Sequence, residues 1–387
     1  MTVTDRPDSK QQRAVLDQAV ELAPAISARA AEIEAARRLP SDLLAELTAA
    51  GCFRILLPQS HGGLGADLAT VMRVLGTLSR ADGSVGWTVA IGAGSWFDLV
   101  GLPRATFDAL YAGGPDVIFA GAIKPSGVAK AAKGGYRVSG QWAFASGCEH
   151  ATWLFGTCIE VVDGEQRLRT VLFAPDQIDI LDTWHVAGLR GTGSHDFRAV
   201  DVLVPADRTY ETFAAEPCID ADVVQIPPPT LFSLPVAAIA LGIGQGALDD
   251  VVALATDKVP LFSGSTLAAS PWFQLQLATS DTELRAARGL LYELADEVWQ
   301  TATDRASFTL HQRARVRAAA AWATERAAAI VERAYRAGGS SSLYEASPLQ
   351  RRLRDINALT QHFLVRPETL TTAGAVFAGQ DIEVPVF

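Results

Sequence analysis

Between Trp142 and Gly147 the chain reads WAFASG. On a strand, alternation sends Trp142, Phe144 and Ser146 to one face. Two aromatic rings and a hydroxyl on one surface can support a flat ring and hydrogen-bond its edge; the same pattern also suits a core face with one satisfied serine. A second segment, GLRGTGSHD (188–196), has glycines that let backbone N–H groups approach a ligand, with Thr192 and Ser194 as added hydroxyls. Read plainly, it is a turn between strands, with Arg190 its nearest charge. The third candidate is His362, in INALTQHFL. An imidazole with an ordinary pKa of about 6.5 takes or gives a proton near neutral pH. On a helix Asp355, Leu359 and His362 share a face, but Asp355 lies roughly 10 Å along the axis. Ser146 or a water must then orient the ring, unless His362 is a packing residue. His150 follows Ser146 at strand spacing and shares its face if the strand continues; Gly147-Cys148 can instead begin a turn. Cys148 itself is read as a buried structural thiol.

These residues need elements to position them. Residues 13–112 read as helices: apolar positions recur three and four apart in VLDQAVELAPAISARAAEIEAARR, and further helices follow in LLAELTAAG and from Leu68 to Arg80. From about Pro115 the texture changes to short runs rich in β-branched and aromatic residues (VIFAGAI, YRVSGQWAFAS, TWLFGTCIEVV, RTVLFAP, AVDVLVP), separated by turn residues. No helix-length segment lies between them, so parallel α/β winding is not expected. After IPPPT (226–230) four long helical segments follow, the last from about Leu349 to Val365, as in an up-and-down bundle. The expected class is α+β: a helical domain (1–112), a β-domain (113–225) and a four-helix bundle (226–387). GIGQG (242–246) lacks the GxGxxG spacing and sits inside a helical pattern, so it reads as close helix packing.

The 387 residues carry a net charge of −10 with no basic cluster, which argues against nucleic acid and for a small-molecule ligand. No uninterrupted apolar run reaches about 18 residues, so no membrane span is expected. The first dozen residues are polar and read as a loose tail, not a leader. The four cysteines form no CxxC pair, which fits thiols in a reducing cytoplasm.

Four segments, in order and spacing over nearly the whole chain, resemble the acyl-CoA dehydrogenase superfamily: LLPQSHGGLGADL (56–68), GGYRVSGQWAFASGCEHATWLF (134–155), WHVAGLRGTGSHDFRAVDVLVP (184–205) and RAGGSSSLYEASPLQRRLRDINALTQHFL (336–364). SGCEHATW and the 188–205 stretch are most similar to the two-component flavin monooxygenases of that fold. The resemblance implies reduced flavin (FMNH2 or FADH2) delivered by a separate NAD(P)H-dependent reductase, O2 as co-substrate, and a C4a-hydroperoxyflavin. It places the flavin against Ala122, Trp142, Phe144, Ala145, Ser146, Gly147, Gly191, Thr192 and Ser194. Ser146 matches the hydroxyl that meets the flavin N5, and His362 stands near the position of the dehydrogenases' carboxylate base, in a stretch with no Asp or Glu. Trp87 and His150 are the implied substrate-side residues.

The implied activity is oxygenation of a small hydrophobic, aromatic or heteroaromatic molecule. A dehydrogenase with its base relocated to Glu345 and a non-catalytic flavin-binding protein are the alternatives. The Arg-rich stretch that holds the adenosine half of FAD in the dehydrogenases is replaced by KVPLFSGSTLAASPWFQLQ, with Lys258 its only base; this leans toward FMN or loosely held flavin. Small residues on several faces of RAAAAWATERAAAIVERA suggest that a second copy packs there, and relatives of this fold imply a homotetramer.

Overall fold

The computed structural model describes residues 9–382. The tail expected over the first dozen residues lies partly outside them; from Ser9 the chain is already helical. Helices α1 (Ser9–Ala28), α2 (Ala30–Ala36), α3 (Ser41–Ala49), α4 (Leu68–Ala81), α5 (Gly83–Gly94) and α6 (Arg104–Leu110) come first. Polar side chains start the central pair. Asp67 accepts from Thr70 N at 2.7 Å before α4, and Asp82 accepts from Ser84 N (2.9 Å) and Val85 N (3.1 Å) before α5.

Seven strands follow: β1 (Phe119–Ala132), β2 (Gly135–Trp142), β3 (Trp153–Val162), β4 (Glu165–Phe173), β5 (Asp179–Leu181), β6 (Asp196–Pro205) and β7 (Thr209–Glu211). They form one sheet in the order β5-β6-β2-β1-β3-β4-β7. All pairs are antiparallel except β1 with β3. The sheet has its own core, centred on Trp142. That indole is fully buried, stacks on Phe197 (centroids 4.9 Å apart, 14° between planes) and donates to Thr157 O at 2.8 Å. It lies over Gly127, Gly140 and Gly156, where any Cβ would run into the ring.

The remaining helices are α7 (Pro228–Asp257), α8 (Pro271–Thr303), α9 (Leu310–Gly338), α10 (Pro348–Leu359) and α11 (Glu368–Phe377). The capping box at the start of α9 is explicit: Gln312 N donates to Thr309 Oγ1 (3.1 Å) and Thr309 N to Gln312 Oε1 (3.0 Å). One expectation needs correction. The last bundle helix stops at Leu359 instead of running to Val365, so His362 sits in a turn and shares no helical face with Asp355. The alanine-rich helix α9 packs within its own chain against α7, α8, α10 and α11 and keeps part of its surface half-buried.

Helix α7 is apolar enough by composition to cross a membrane, yet 89% of its most apolar window is buried in this fold. The GIGQG stretch lies within it, and its glycines are contact points. A Cβ on Gly242 would stand 2.5 Å from Gly76 O and 2.8 Å from Ser79 Cβ of α4, while one on Gly246 would overlap the Arg352 guanidinium. The helical-packing reading of this motif therefore holds. Gly242→Ala should push α4 and α7 apart and destabilise the protein by about 1–3 kcal/mol, the usual range for overpacking. Chemical denaturation measures this; an unchanged midpoint would contradict the contact.

Candidate functional site

Strand β2 ends at Trp142, so alternation does not carry on to Ser146. Phe144 has φ +65°, which turns the chain, and its side chain points out at 70% exposure. Trp142 therefore belongs to the sheet core and does not share a surface with Phe144, contrary to the strand reading. The turn is zipped to the 188–196 loop by backbone hydrogen bonds: Ala145 N to His195 O (3.1 Å) and Gly147 N to Thr192 O (2.9 Å). Cys148 Sγ donates to Gly193 O at 3.4 Å; burial pushes its thiol up to about 12, which leaves it a packing residue.

This zipper brings three hydroxyls together. Ser146 Oγ is 2.7 Å from Ser194 Oγ, which is 2.7 Å from Thr192 Oγ1. Thr192 in turn donates to Leu189 O at 2.8 Å. From α5, Trp87 Nε1 donates to Ser146 Oγ at 3.0 Å. Trp87 also meets His362, edge to face, with centroids 5.0 Å apart. His362 Nδ1 is covered and has no hydrogen-bond partner among the described residues, although the ring as a whole is only half-buried. Burial pulls the imidazole down to about 4, so it is neutral at physiological pH. Residues far apart in sequence, Trp87, Ser146, Thr192, Ser194 and His362, thus form one cluster where α5, the sheet loops and the end of α10 meet.

The other sequence candidates fall around it. Gly191 is pressed against Ile33 and Ser84, where a Cβ would overlap Ile33 Cγ2. Ala145 and Gly147 are buried in the turn; Ala122 is half-buried on β1 opposite Gly156. His150 lies in a short 3-10 turn, not on a continuing strand, and its Nε2 accepts from Leu39 N at 3.2 Å. It ties the sheet to the N-terminal helices instead of sharing a strand face with Ser146. Lys258 is engaged by Gly338 O and by Ser341 Oγ (2.9 Å), at the end of α9. Glu345 is exposed, and no hydrogen bond or ion pair links it to the cluster among the described residues.

Two residues with a part in the site carried no assigned role in the sequence reading. His195 is buried, and its Nδ1 accepts from Thr183 N and Trp184 N, both at 3.2 Å. Trp184 Nε1 donates to Leu189 O at 3.2 Å, and its ring meets exposed Phe144 edge-on at 6.0 Å. Both stand inside the quoted WHVAGLRGTGSHD stretch, but nothing in their spacing gives their partners. Asp355 also gains a role: its Oδ1 accepts from Leu189 N at 2.7 Å. Burial raises its pKa, and the neighbouring Asp82 charge adds to the rise.

Known proteins carry the same arrangement of domains. The acyl-CoA dehydrogenase N-terminal domain matches residues 9–99 and the acyl-CoA dehydrogenase C-terminal domain residues 234–367. Indole-3-acetate monooxygenase of Pseudomonas putida is 30% identical over 91% of this chain and 90% of its own. The flavin-dependent monooxygenase oxygenase subunit HsaA of Rhodococcus jostii (strain RHA1) is 32% identical over 90% of this chain and 93% of its own. The crystal structure of XiaF from Streptomyces sp., in complex with FADH2 and glycerol, superposes with a TM-score of 0.91 at 26% identity, covering 98% of each chain. The chain belongs to the acyl-CoA dehydrogenase superfamily, in its branch of flavin-dependent monooxygenases, enzymes that combine reduced flavin with molecular oxygen.

Proposed function

We propose that the chain is the oxygenase component of a two-component system, receiving FMNH2 or FADH2 from a separate NAD(P)H-dependent reductase and oxygenating a small aromatic or heteroaromatic molecule. The observation that carries this reading is the Trp87–Ser146–His362 cluster: a buried hydroxyl and an imidazole with an unpartnered nitrogen, both in contact with one indole. Such a cluster suits a ring that offers polar atoms along its edge and a substrate that must give up a proton. When bound, reduced flavin supplies the two electrons that let one oxygen atom enter the substrate and the other leave as water. Ser146 holds the flavin edge. His362, whose covered Nδ1 has no partner among the described residues, takes the proton from an aromatic hydroxyl or ring N–H. A covered site also limits loss of oxygen as hydrogen peroxide. Glu345, exposed and outside the cluster's bonds, gives the dehydrogenase alternative no support.

His362→Ala should keep reduced-flavin binding and lose about 10²–10⁴-fold in coupled product formation, the usual contribution of a general base. Ser146→Ala should release more hydrogen peroxide per product, by up to about tenfold, the worth of one hydrogen bond. Melting temperature measured beside the product-to-peroxide ratio separates roles: a stability loss with normal coupling in His362→Ala would make His362 a packing residue.

The same histidine predicts a pH signature. Its folded pKa, about 4, lies below the unfolded value of about 6.5. Between these values the unfolded chain binds a proton that the folded chain does not, so this contribution to stability is complete above about 6.5 and lost as pH falls toward 4. Asp82 and Asp355, raised by burial, run the opposite way. They cancel when wild type is compared with His362→Ala, whose stability relative to wild type should improve as pH drops through that window. Urea midpoints between pH 4 and 7.5 measure it, and parallel curves would contradict the assignment.

The reading also includes a homotetramer. Sedimentation at micromolar concentration should give a mass well above that of one 41.1 kDa chain; a monomer would refute it.

A further inference from the structure

The chain Trp87–Ser146–Ser194–Thr192–Leu189 has a chemical donor at one end and a chemical acceptor at the other. An indole N–H only donates, and a backbone carbonyl only accepts. Each of the three hydroxyls has a single hydrogen. Thr192 gives its hydrogen to Leu189 O (2.8 Å). The 2.7 Å contact between Thr192 and Ser194 must then be donated by Ser194, and the 2.7 Å contact between Ser194 and Ser146 by Ser146. At its other side Ser146 Oγ accepts from Trp87 Nε1 (3.0 Å). All three hydroxyl residues are buried, at 2–7% exposure, so water does not compete freely for these bonds. The count leaves Ser146 with one lone pair and no hydrogen to offer.

Leu189 is itself fixed at the far end. It stands in the left-handed region at φ +52°, its N–H is held by Asp355 Oδ1 (2.7 Å), and its carbonyl also accepts from Trp184 Nε1 (3.2 Å). The carbonyl that sets the sense of the chain therefore cannot turn away without breaking its bonds to two side chains and to the Thr192 N–H.

We propose that Thr192 and Ser194 are positioning residues that turn Ser146 into an obligate hydrogen-bond acceptor, and that the site thereby selects flavin by redox state. Resting on the reading that Ser146 meets the N5 edge, the chemistry is direct. Reduced flavin carries an N–H at N5 and can donate to the free lone pair of Ser146. Oxidised flavin has a lone pair at N5 and meets another lone pair. An enzyme that must take up reduced flavin and discard the oxidised form gains both from one orientation of three hydroxyls.

The test is equilibrium binding under anaerobic conditions, with FMN and FAD each in oxidised and dithionite-reduced form. Wild type should hold the reduced form more tightly. Thr192→Val removes the donor to Leu189 O, and Ser194→Ala breaks the chain one step nearer. In either, the Ser146 hydrogen becomes free to serve an acceptor. The ratio of oxidised to reduced Kd should fall about two- to tenfold in both variants, the effect of one buried hydrogen bond. A tenfold fall equals a bound-flavin potential about 30 mV lower for this two-electron couple. Thr192→Ser keeps the hydroxyl and should restore the wild-type ratio. Two variants guard against one that fails to fold. An unchanged ratio in Thr192→Val and Ser194→Ala overturns the proposal, as does equal affinity of wild type for both redox forms. Ser146→Ala distinguishes the underlying reading: if it leaves both affinities as in wild type, or if wild type binds neither form, Ser146 is not the flavin contact and both ideas fall. If Ser146→Ala weakens reduced-flavin binding while Thr192→Val leaves the ratio alone, only the orientation proposal falls.

Discussion

A buried hydrogen bond, from the backbone N–H of Leu189 to the side chain of Asp355, joins the sheet loop to the helical bundle. The surroundings are built to allow it. Gly188 has no side chain because α10 runs so close that a Cβ would overlap the Arg354 carbonyl. Arg354 reinforces the junction by donating to Ala187 O at 2.6 Å. Leu189 takes a left-handed conformation that costs a non-glycine residue about 1 kcal/mol and persists only when its neighbours over-determine it. Asp355 does so from one side, while Trp184 and Thr192 hold the carbonyl from the other.

Charge is managed with equal economy at this junction. Asp82 and Asp355 are both buried, and desolvation raises both. Each carboxylate is committed to backbone N–H groups: Asp82 starts α5, the helix that carries Trp87, and Asp355 anchors the hydroxyl loop. Arg352 stands nearby, threaded past Gly246 and bound to Asp250 Oδ2 (2.9 Å) and Ser79 O (3.3 Å). The hydroxyls, indole and imidazole of the cluster are thus neutral, while the charges lie one layer back and fix the backbone.

How much of this was legible in the sequence depends on the range of the interaction. The helix–sheet–helix order and GIGQG as a packing motif followed from periodicity and spacing, which are local properties. Ser146 and His362 were found through a resemblance of motifs, and they do meet around Trp87. Trp142, Phe144 and Ser146 share no strand face because a positive φ at Phe144 breaks the alternation, and nothing about a phenylalanine announces that. The helical face of Asp355 and His362 failed because α10 ends at Leu359, although the apolar pattern runs on to Val365. His195, Trp184 and the carboxylate on Leu189 N are long-range partners of a loop, set by tertiary geometry alone.

Helix α7 places a constraint on the order in which the molecule is made. By composition it resembles a membrane-spanning segment, yet its stability in water depends on being wrapped. One flank packs on α4 and α5, which leave the ribosome before it; the other packs on α9 and α10, which leave after it. About 80 residues separate the end of α7 from the end of α9, which at roughly 5–20 residues per second is several seconds of synthesis. During that interval the helix is half-clothed. The early helices thus offer α7 an apolar surface to pack on before its later partners exist.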